Sequence, residues 1–302
     1  MMKPLLLLPR LVEKLDHLLD RINPLLPVSP KPVDWANVPA AFWRRSQFHG
    51  YLEGVKSIPG TSLDDILEVD RQKTQVVKNT EQFVRGLPAN NVLLSGSRGT
   101  GKSSLIQALL NEYQGDGLRI IQVDKTDLAD LLHIVAAIQD EPYRFILFCD
   151  DLSFEARDEG YKALKSALDG GVYSPPDNIL IYATSNRRHL MPDYHSDSEG
   201  SRVMETEVHH AEAVEEKVSL SDRFGLWVTF YPINQDAYLE IARHWLNQLG
   251  QRHGVTPEWN DEARLLCIRW AGNRGNRSGR TAYQFARHWV GQTLLHAADD
   301  QN

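Results

Sequence analysis

The sequence predicts an α/β fold with a parallel β-sheet, followed by a segment made only of helices. Between residues 61 and 232, short apolar runs alternate with helical periodicity, which is typical of parallel strands joined by crossover helices. From Asn234 onward only the helical pattern remains. The runs that we interpret as strands are residues 92–95, 118–123, 145–149, 179–184 and 226–231.

Composition sets the broad class of the protein. Of its 302 residues, 42% are hydrophobic and 24% are charged, which excludes a disordered or fibrous chain. The formal net charge of −7 gives no overall attraction to nucleic acids or anionic membranes. Cys149 and Cys267 are too few for a disulfide framework, and no apolar run is long enough to span a membrane. We therefore expect a soluble, cytoplasmic protein.

Three regions are predicted along the chain. Residues 1–60 carry a leucine-rich amphipathic helix, a proline-rich stretch and an aromatic segment, which we interpret as a helical N-terminal extension. Residues 61–232 form the α/β core, and residues 233–302 form a helical lid. Within the core, an acidic stretch at about residues 188–220 is too long for an ordinary connection, so it is either a solvated loop or a functional insertion.

The helices of the lid have recognisable ends. Gly250 is the expected end of the first helix, because glycine commonly terminates helices. Asn260 and Ser278 are the expected N-caps of the next two, since their side chains can accept hydrogen bonds from free backbone N–H groups.

A phosphate-binding loop follows the first predicted core strand. Residues 96–103 (GSRGTGKS) match the pattern G-x-x-x-x-G-K-[ST] in full, between an apolar strand and an amphipathic helix. The glycines let backbone N–H groups point at phosphate oxygens, and the helix aims the positive end of its dipole at the same anion. Lys102 can then reach the β- and γ-phosphates. The residues expected to bind the nucleotide are Gly96, Ser97, Arg98, Gly99, Thr100, Gly101, Lys102, Ser103 and Ser104.

The strand at residues 145–149 ends in two acids, Asp150 and Asp151. A buried strand delivers such carboxylates to the edge of the sheet beside the phosphate loop, where they can hold Mg²⁺ or its waters. We therefore predict that Ser103 and Asp150 hold Mg²⁺ and that Asp151 polarises the attacking water. The alternative for Asp151 is that it only caps the following segment.

Two other classes of protein, signalling GTPases and small-molecule kinases, carry the same phosphate loop. A signalling GTPase normally reads guanine with an Asn-Lys-x-Asp motif, but the nearest string, residues 124–127 (DKTD), lacks the asparagine and follows the second strand. A small-molecule kinase uses the same loop to move phosphate to a bound acceptor. The loop alone does not distinguish this case, so a phosphotransferase stays as a less favoured alternative.

The order of the polar elements resembles that of the AAA+ ATPases, whose core runs phosphate loop, acidic strand, polar sensor strand, arginine finger and helical lid. Here Asn186 follows the strand at residues 179–184, residues 220–224 (LSDRF) precede the last strand, and residues 272–280 (GNRGNRSGR) lie in the lid. The resemblance covers about residues 61–300. It implies a three-layer P-loop core, with ATP and Mg²⁺ as its ligands.

The resemblance also implies a role for individual residues. Asn186 looks like the first sensor, which positions water against the γ-phosphate, and Arg223 looks like the arginine finger offered to a neighbouring subunit's nucleotide. Arg280 looks like the nucleotide-contacting arginine of the lid, with Arg277 as second choice and a basic surface loop as the alternative reading. Residues 65–70 (DILEVD) resemble the element that packs around adenine. The implied catalytic residues are Lys102, Asp151, Asn186, Arg223 and Arg280.

Four strings resemble, more narrowly, a bacterial family of AAA+ proteins catalogued only as a domain of unknown function, DUF815. They are residues 79–83 (NTEQF), 148–155 (FCDDLSFE), 184–190 (TSNRRHL) and 277–282 (RSGRTA). The family name supplies no physiological substrate.

The expected function is Mg²⁺-dependent ATP hydrolysis coupled to the remodelling of an unknown macromolecule. Most active AAA+ proteins have glutamate where this chain has Asp151, so an ATP-gated binding switch with negligible hydrolysis is the main alternative, unless Glu155 supplies the missing reach.

The resemblance implies a homo-oligomeric ring, with a hexamer as the natural expectation. Residues 125–128 contain no aromatic side chain, which weakens a reading as a threading unfoldase. Residues 43–45 (WRR), with Phe48 and Tyr51, mix bases and aromatics as single-strand binders do. Nucleic-acid contact is therefore an alternative, but a protein partner is favoured.

Overall fold

The structure of the chain is a computed structural model, which describes Lys14 and residues 31–46, 50–153, 159–169, 176–186 and 222–299. The chain divides into two compact units, residues 1–33 and 34–302. In the first unit Lys14 has a helical backbone, and the rest of the predicted amphipathic helix lies outside the described residues. Glu155, Phe48 and the predicted acidic insertion also lie outside them. Everything that follows concerns the second unit.

A seven-stranded β-sheet forms the centre of this unit. Its strands are β1 (Ala40–Arg45), β2 (Gly50–Val55), β3 (Val92–Gly96), β4 (Leu118–Gln122), β5 (Arg144–Cys149), β6 (Ile179–Ser185) and β7 (Leu226–Phe230). The order across the sheet is β2-β1-β4-β5-β6-β3-β7. β1 and β2 pair antiparallel, and all other neighbours pair parallel. β3 to β7 agree with the predicted runs to within one residue at each end, which confirms the predicted parallel sheet.

β1 and β2 lie in the segment that the sequence analysis assigned to the N-terminal extension. β1 pairs with β4, with Phe42 opposite Gln122, and so extends the parallel sheet. Trp43 is 4% exposed, and Gly50 lies so close to its ring that a Cβ atom there would overlap it. The mixture of aromatic and arginine side chains obscured this strand pattern. Residues 40–45 and 50–55 therefore belong to the sheet and not to a helical extension.

Helices cover the sheet and then form the lid. They are α1 (Asp70–Val84), α2 (Lys102–Tyr113), α3 (Leu131–Ile138), α4 (Glu159–Asp169), α5 (Gln235–His253), α6 (Asp261–Asn273) and α7 (Gly279–Asp299). Val76 of α1 and Leu105 of α2 share one core with Leu94 of β3 and other apolar strand residues. The alternate strand residues, such as Leu93 and Leu147, point to the opposite face and are equally buried. This is the predicted three-layer arrangement.

The lid has its own apolar core and a capped start to each of its helices. Residues of α5, α6 and α7, among them Tyr238 and Phe285, form a second buried cluster. As predicted, the third helix begins after Ser278 and the second after Asn260, whose side chain accepts a hydrogen bond from the Ala263 N–H at 2.9 Å.

The predicted helix end at Gly250 is wrong. α5 continues to His253, and Gly254 caps it with a φ of +69°. Gly250 is instead a packing position, because a Cβ atom there would lie 2.6 Å from both the Pro257 ring and the Val255 carbonyl. The small residue at position 250 therefore serves a close approach rather than a turn.

Candidate active site

A cleft of about 1000 Å³ lies between the carboxyl ends of the core strands and the lid. Its walls include Arg98 to Ser104 of the phosphate loop, the acids after β5, the end of β6, and residues of α5, of α7 and of the loop before α7. Lys102, Ser103, Asp150, Asp151 and Asn186, which the sequence assigned to one site, all line this cleft. Gly96 and Ser97 lie at the base of the loop, where their carbonyl groups accept hydrogen bonds from Lys102.

The phosphate loop has a backbone that side chains would obstruct. Gly96, Gly99 and Gly101 have φ angles of +120°, +71° and +95°, in the region that favours glycine. Gly101 immediately precedes α2, so the N-terminal N–H groups of a 12-residue helix face the cleft. This arrangement is a ready site for a phosphate group.

Lys102 is a cation held in a nearly buried position. Lys102 is only 5% exposed. Burial lowers the pKa of its ammonium group to about 8, although the nearby Asp151 and Asp150 act to raise it. Its Nζ donates to the carbonyl oxygens of Gly96 (2.9 Å) and Ser97 (2.7 Å), and to Asn186 Oδ1 (3.2 Å). Every one of these partners is neutral, so the charge of Lys102 is available to an anion.

Two hydroxyl groups converge on the carboxylate of Asp150. Ser103 Oγ donates to Asp150 Oδ1 at 2.7 Å, and Thr184 Oγ1 donates to the same oxygen at 2.6 Å. The sequence analysis did not single out Thr184. The signal for it was a hydroxyl-bearing residue at the end of an otherwise apolar strand, two positions before Asn186.

Asp151 adopts an unusual backbone conformation beside Asn186. Its φ is +52°, which non-glycine residues rarely adopt and which aspartate tolerates better than most. Its N–H donates to Thr184 Oγ1 at 2.8 Å, and its carboxylate accepts from Asn186 Nδ2 at 2.5 Å. Asn186 therefore contacts both Lys102 and Asp151, with opposite ends of one amide.

The lid reaches the phosphate loop directly. The backbone N–H of Gly279 donates to the Gly99 carbonyl at 2.7 Å, and a Cβ atom at Gly99 would lie 2.5 Å from the Ser278 side chain. Arg280 follows at the start of α7 and lines the cleft. Arg277 does not line the cleft, and its guanidinium lies 3.4 Å from the Gln235 side chain. Of the two arginines that the sequence analysis considered, Arg280 is therefore the one that lines the cleft.

Part of the cleft wall is apolar. Ile66 and Leu67, from the segment expected to pack around adenine, line it together with Trp245 and Tyr283 of the lid. The rings of Trp245 and Tyr283 meet edge to face at 4.9 Å. Such a surface suits the faces of a planar base. Arg252 of α5 also lines the cleft, and the sequence analysis did not identify it.

A buried acid, next in sequence to Ile66, joins the core to the lid. Asp65 Oδ1 lies 2.8 Å from His244 Nε2 on α5, while Asp65 Oδ2 accepts from the Ser62 N–H at 2.8 Å. Burial alone would raise the pKa of Asp65, but the hydrogen bonds from Ser62 and His244 outweigh it and hold the pKa below its ordinary value of 3.8.

His244→Ala is expected to lower the free energy of unfolding by about 1.5–3 kcal/mol at neutral pH, since it removes a hydrogen bond to a charged group. Because the pKa of Asp65 is lowered in the folded protein, this stabilisation is full above pH 3.8 and is lost as the pH falls through the folded-state pKa. Urea unfolding of both proteins at several pH values measures this. Equal midpoints at pH 7 would contradict the prediction, and His244→Gln, which keeps an N–H donor, is the control.

Arg223 lies outside this chain's own cleft. It occupies the turn at residues 222–223 that leads into β7, and it is not among the residues that line the cleft.

Comparison with known proteins places the chain in a family. The sequence profile of a family described as "Protein of unknown function (DUF815)" matches residues 36–293. The chain belongs to the DUF815 family. No curated protein matches its sequence.

Solved structures share the fold of this DUF815 member. The RuvB Holliday junction branch migration motor of Thermotoga maritima matches with a TM-score of 0.50 and 20% identity, over 75% of this chain and 63% of the RuvB chain. The Aeropyrum pernix ORC1 protein, solved in complex with DNA, matches with a TM-score of 0.49 and 14% identity, over 74% and 61%. This DUF815 member therefore spans less than two thirds of these chains. It has the AAA+ form of the P-loop fold, as predicted.

The basic and aromatic residues of β1 are engaged within this DUF815 member. Trp43 Nε1 donates to Asp130 at 3.0 Å, and Arg45 donates to both oxygens of the same carboxylate at 2.6 Å. Trp43 is also buried, so it has no exposed face on which a base could stack. Among the described residues, no helix combines the length and apolar character needed to cross a bilayer.

Proposed function

We propose that this DUF815 member binds ATP with Mg²⁺ and hydrolyses it, and that it couples turnover to the remodelling of a macromolecular partner. One observation carries the proposal: a phosphate loop, two acids, an amide, a lid arginine and several apolar side chains line a single cleft. These are the groups that phosphoryl transfer to water requires, since its catalysis rests on positioning and charge stabilisation.

Each part of the nucleotide has a matching group in the cleft. Ile66, Trp245 and Tyr283 would contact the base, and the loop backbone with Lys102 would hold the phosphates. Arg280 would approach the phosphates from the lid, so that a bound nucleotide would bridge core and lid.

The donor set at Ser103 and Asp150 fits Mg²⁺. It consists of a hydroxyl and a carboxylate oxygen 2.7 Å apart, and hard oxygen ligands are the ones that Mg²⁺ prefers. Bound there with the nucleotide, Mg²⁺ would neutralise part of the phosphate charge. Ser103, at the start of α2, and Asp150, directly after β5, would hold the cation in place.

Asp151 and Asn186 are the groups that would act on water. Asp151 is acceptor-only when ionised, so it would take a proton from a water molecule aligned with the γ-phosphate. Asn186 lies 2.5 Å from Asp151 and 3.2 Å from Lys102 Nζ, which supports a role in holding the water between them.

We further propose that copies of the chain assemble, in a ring that could be a hexamer, so that Arg223 of one copy completes the site of its neighbour. The position of Arg223 outside its own cleft supports this arrangement. The partner that is remodelled is, in this proposal, a protein rather than a nucleic acid, since Trp43 and Arg45 are committed to Asp130.

A second candidate function is an ATP-gated binding switch with negligible turnover. The observation that favours it is the hydrogen bond between Asp151 and Asn186, which engages the short acid within the protein. In that case ATP would remain intact on the protein after long incubation.

Phosphate release from ATP, measured with Mg²⁺ over a wide range of protein concentrations, tests the proposal. We expect specific activity to rise with protein concentration, because neighbouring copies share sites, and to vanish when Mg²⁺ is chelated. Tight ATP binding without phosphate release at any concentration would support the switch instead. ADP formation that depends on an added acceptor would indicate a phosphotransferase.

A further inference from the structure

Thr184 carries a buried hydroxyl with two fixed partners. It lies near the end of β6, next to the buried Ala183, and is only 2% exposed. Its Oγ1 donates to Asp150 Oδ1 at 2.6 Å and accepts from the Asp151 N–H at 2.8 Å. These directions are settled, because an ionised carboxylate only accepts and a backbone N–H only donates.

The geometry assigns Thr184 the role of a positioning residue that sets both acids of the cleft, one for the cation and one for water. This role rests on the proposed function. Thr184 acts through Asp150 and Asp151, since its hydroxyl already donates a hydrogen bond to the first and accepts one from the second.

On the cation side, Thr184 orients Asp150 independently of Ser103. Both hydroxyls donate to the same carboxylate oxygen, at 2.6 and 2.7 Å. A hydroxyl ligates a cation through its lone pair, so the Ser103 proton is free to turn elsewhere when Ser103 serves as a ligand. Thr184 is the donor that keeps holding Asp150, as the outer partners of metal ligands commonly do.

On the water side, Thr184 holds the turn that carries Asp151. Its hydroxyl accepts from the Asp151 N–H, and its carbonyl accepts from the Leu152 N–H at 2.7 Å. Asp151 has a φ of +52°, in the left-handed region of backbone conformations. A non-glycine residue keeps such a conformation only when the surrounding contacts fix it. The turn sets the direction of the Asp151 side chain, and both hydrogen bonds to Thr184 hold that turn in place.

The test compares three variants. Thr184→Val keeps the branched shape that a buried strand needs but removes the hydroxyl, and Thr184→Ser keeps the hydroxyl. Thr80→Val, on α1, is the matched control. The Thr80 Oγ1 lies 2.9 Å from the hydroxyl of Tyr182, which is on β6 like Thr184 but does not line the cleft. Binding of Mn²⁺, a paramagnetic substitute for Mg²⁺, to the ATP-loaded protein is followed by electron paramagnetic resonance alongside steady-state turnover.

For Thr184→Val we expect the Mn²⁺ dissociation constant to rise and kcat to fall by about 10- to 100-fold each, the usual effect of losing an outer partner of a metal ligand. The affinity for ATP without metal should stay near the wild-type value. Thr184→Ser should recover most of both losses, and Thr80→Val should change neither.

If Thr184→Val kept the Mn²⁺ affinity and the kcat of the wild-type protein, the positioning role of Thr184 would be overturned. Equal damage in Thr184→Ser would also overturn it, since the methyl group and not the hydroxyl would then matter. If the wild-type chain itself bound no ATP, the proposed function would fail and this role with it, whereas ATP binding with unchanged metal affinity in Thr184→Val would remove only the role of Thr184.

Discussion

Arg223→Ala is expected to lower the rate of ATP hydrolysis by about 10³- to 10⁵-fold, the range measured for arginines that stabilise charge in phosphoryl transfer. ATP affinity should stay near the wild-type value, because Arg223 does not line its own cleft. Phosphate release and fluorescent-nucleotide binding, measured on the same preparation, separate the two effects. Mixing Arg223→Ala with an Asp151→Asn variant should restore part of the activity, since a complete site can form where a subunit with Arg223 lies beside one with Asp151.

Arg85→Ala is the matched control for this experiment. Arg85 is an exposed arginine at the end of α1 that pairs with Glu81 one helical turn away, and it does not line the cleft. Its replacement should leave turnover unchanged. Normal turnover in Arg223→Ala would instead show that no neighbouring copy supplies this arginine.

Lys102→Ala is expected to weaken ATP binding by about 100-fold or more. The reason is that the variant removes a desolvated cation, and hydrogen bonds to charged groups in such surroundings are worth about 1.5–3 kcal/mol each. Isothermal titration with ATP and Mg²⁺ measures the loss. Hydrolysis should fall with it, because occupancy of the site is lost.

Lys162→Ala, which truncates an exposed lysine on α4, controls for a general effect of charge. The Lys102→Ala protein should remain folded, since the variant also removes the free-energy cost of burying an ammonium group. That cost is seen in the pKa of Lys102, which burial lowers to about 8. Thermal unfolding checks this. Undiminished ATP affinity in a folded Lys102→Ala protein would contradict the nucleotide site.

The contiguous parts of the site were readable from the sequence because short motifs fix them. Residues 96–103 carry their own backbone requirements, and β5 and β6 are buried parallel strands, so their ends had to meet at one edge of the sheet. The sequence therefore predicts that Lys102, Asp150 and Asn186 lie near one another, as they do in the cleft.

Other features depend on contacts between segments far apart in sequence. β1 is a strand because the edge of β4 pairs with it, and β2 pairs in turn with β1. Residues 40–55 alone give no sign of the partner strand β4. The bond between His244 and Asp65 joins lid and core, and Gly250 is small because Pro257 packs against it. The left-handed backbone of Asp151 is likewise set by Thr184 on another strand.

The contact between Gly99 and the start of α7 limits how the chain can vary. A side chain at position 99 would collide with Ser278, and a larger residue at position 278 would press on the phosphate loop. The residues at positions 99 and 278 are therefore expected to change together among relatives, although they lie far apart in sequence. A chimaera that receives the lid of another protein should tolerate the exchange only if the incoming helix is preceded by a residue no larger than serine.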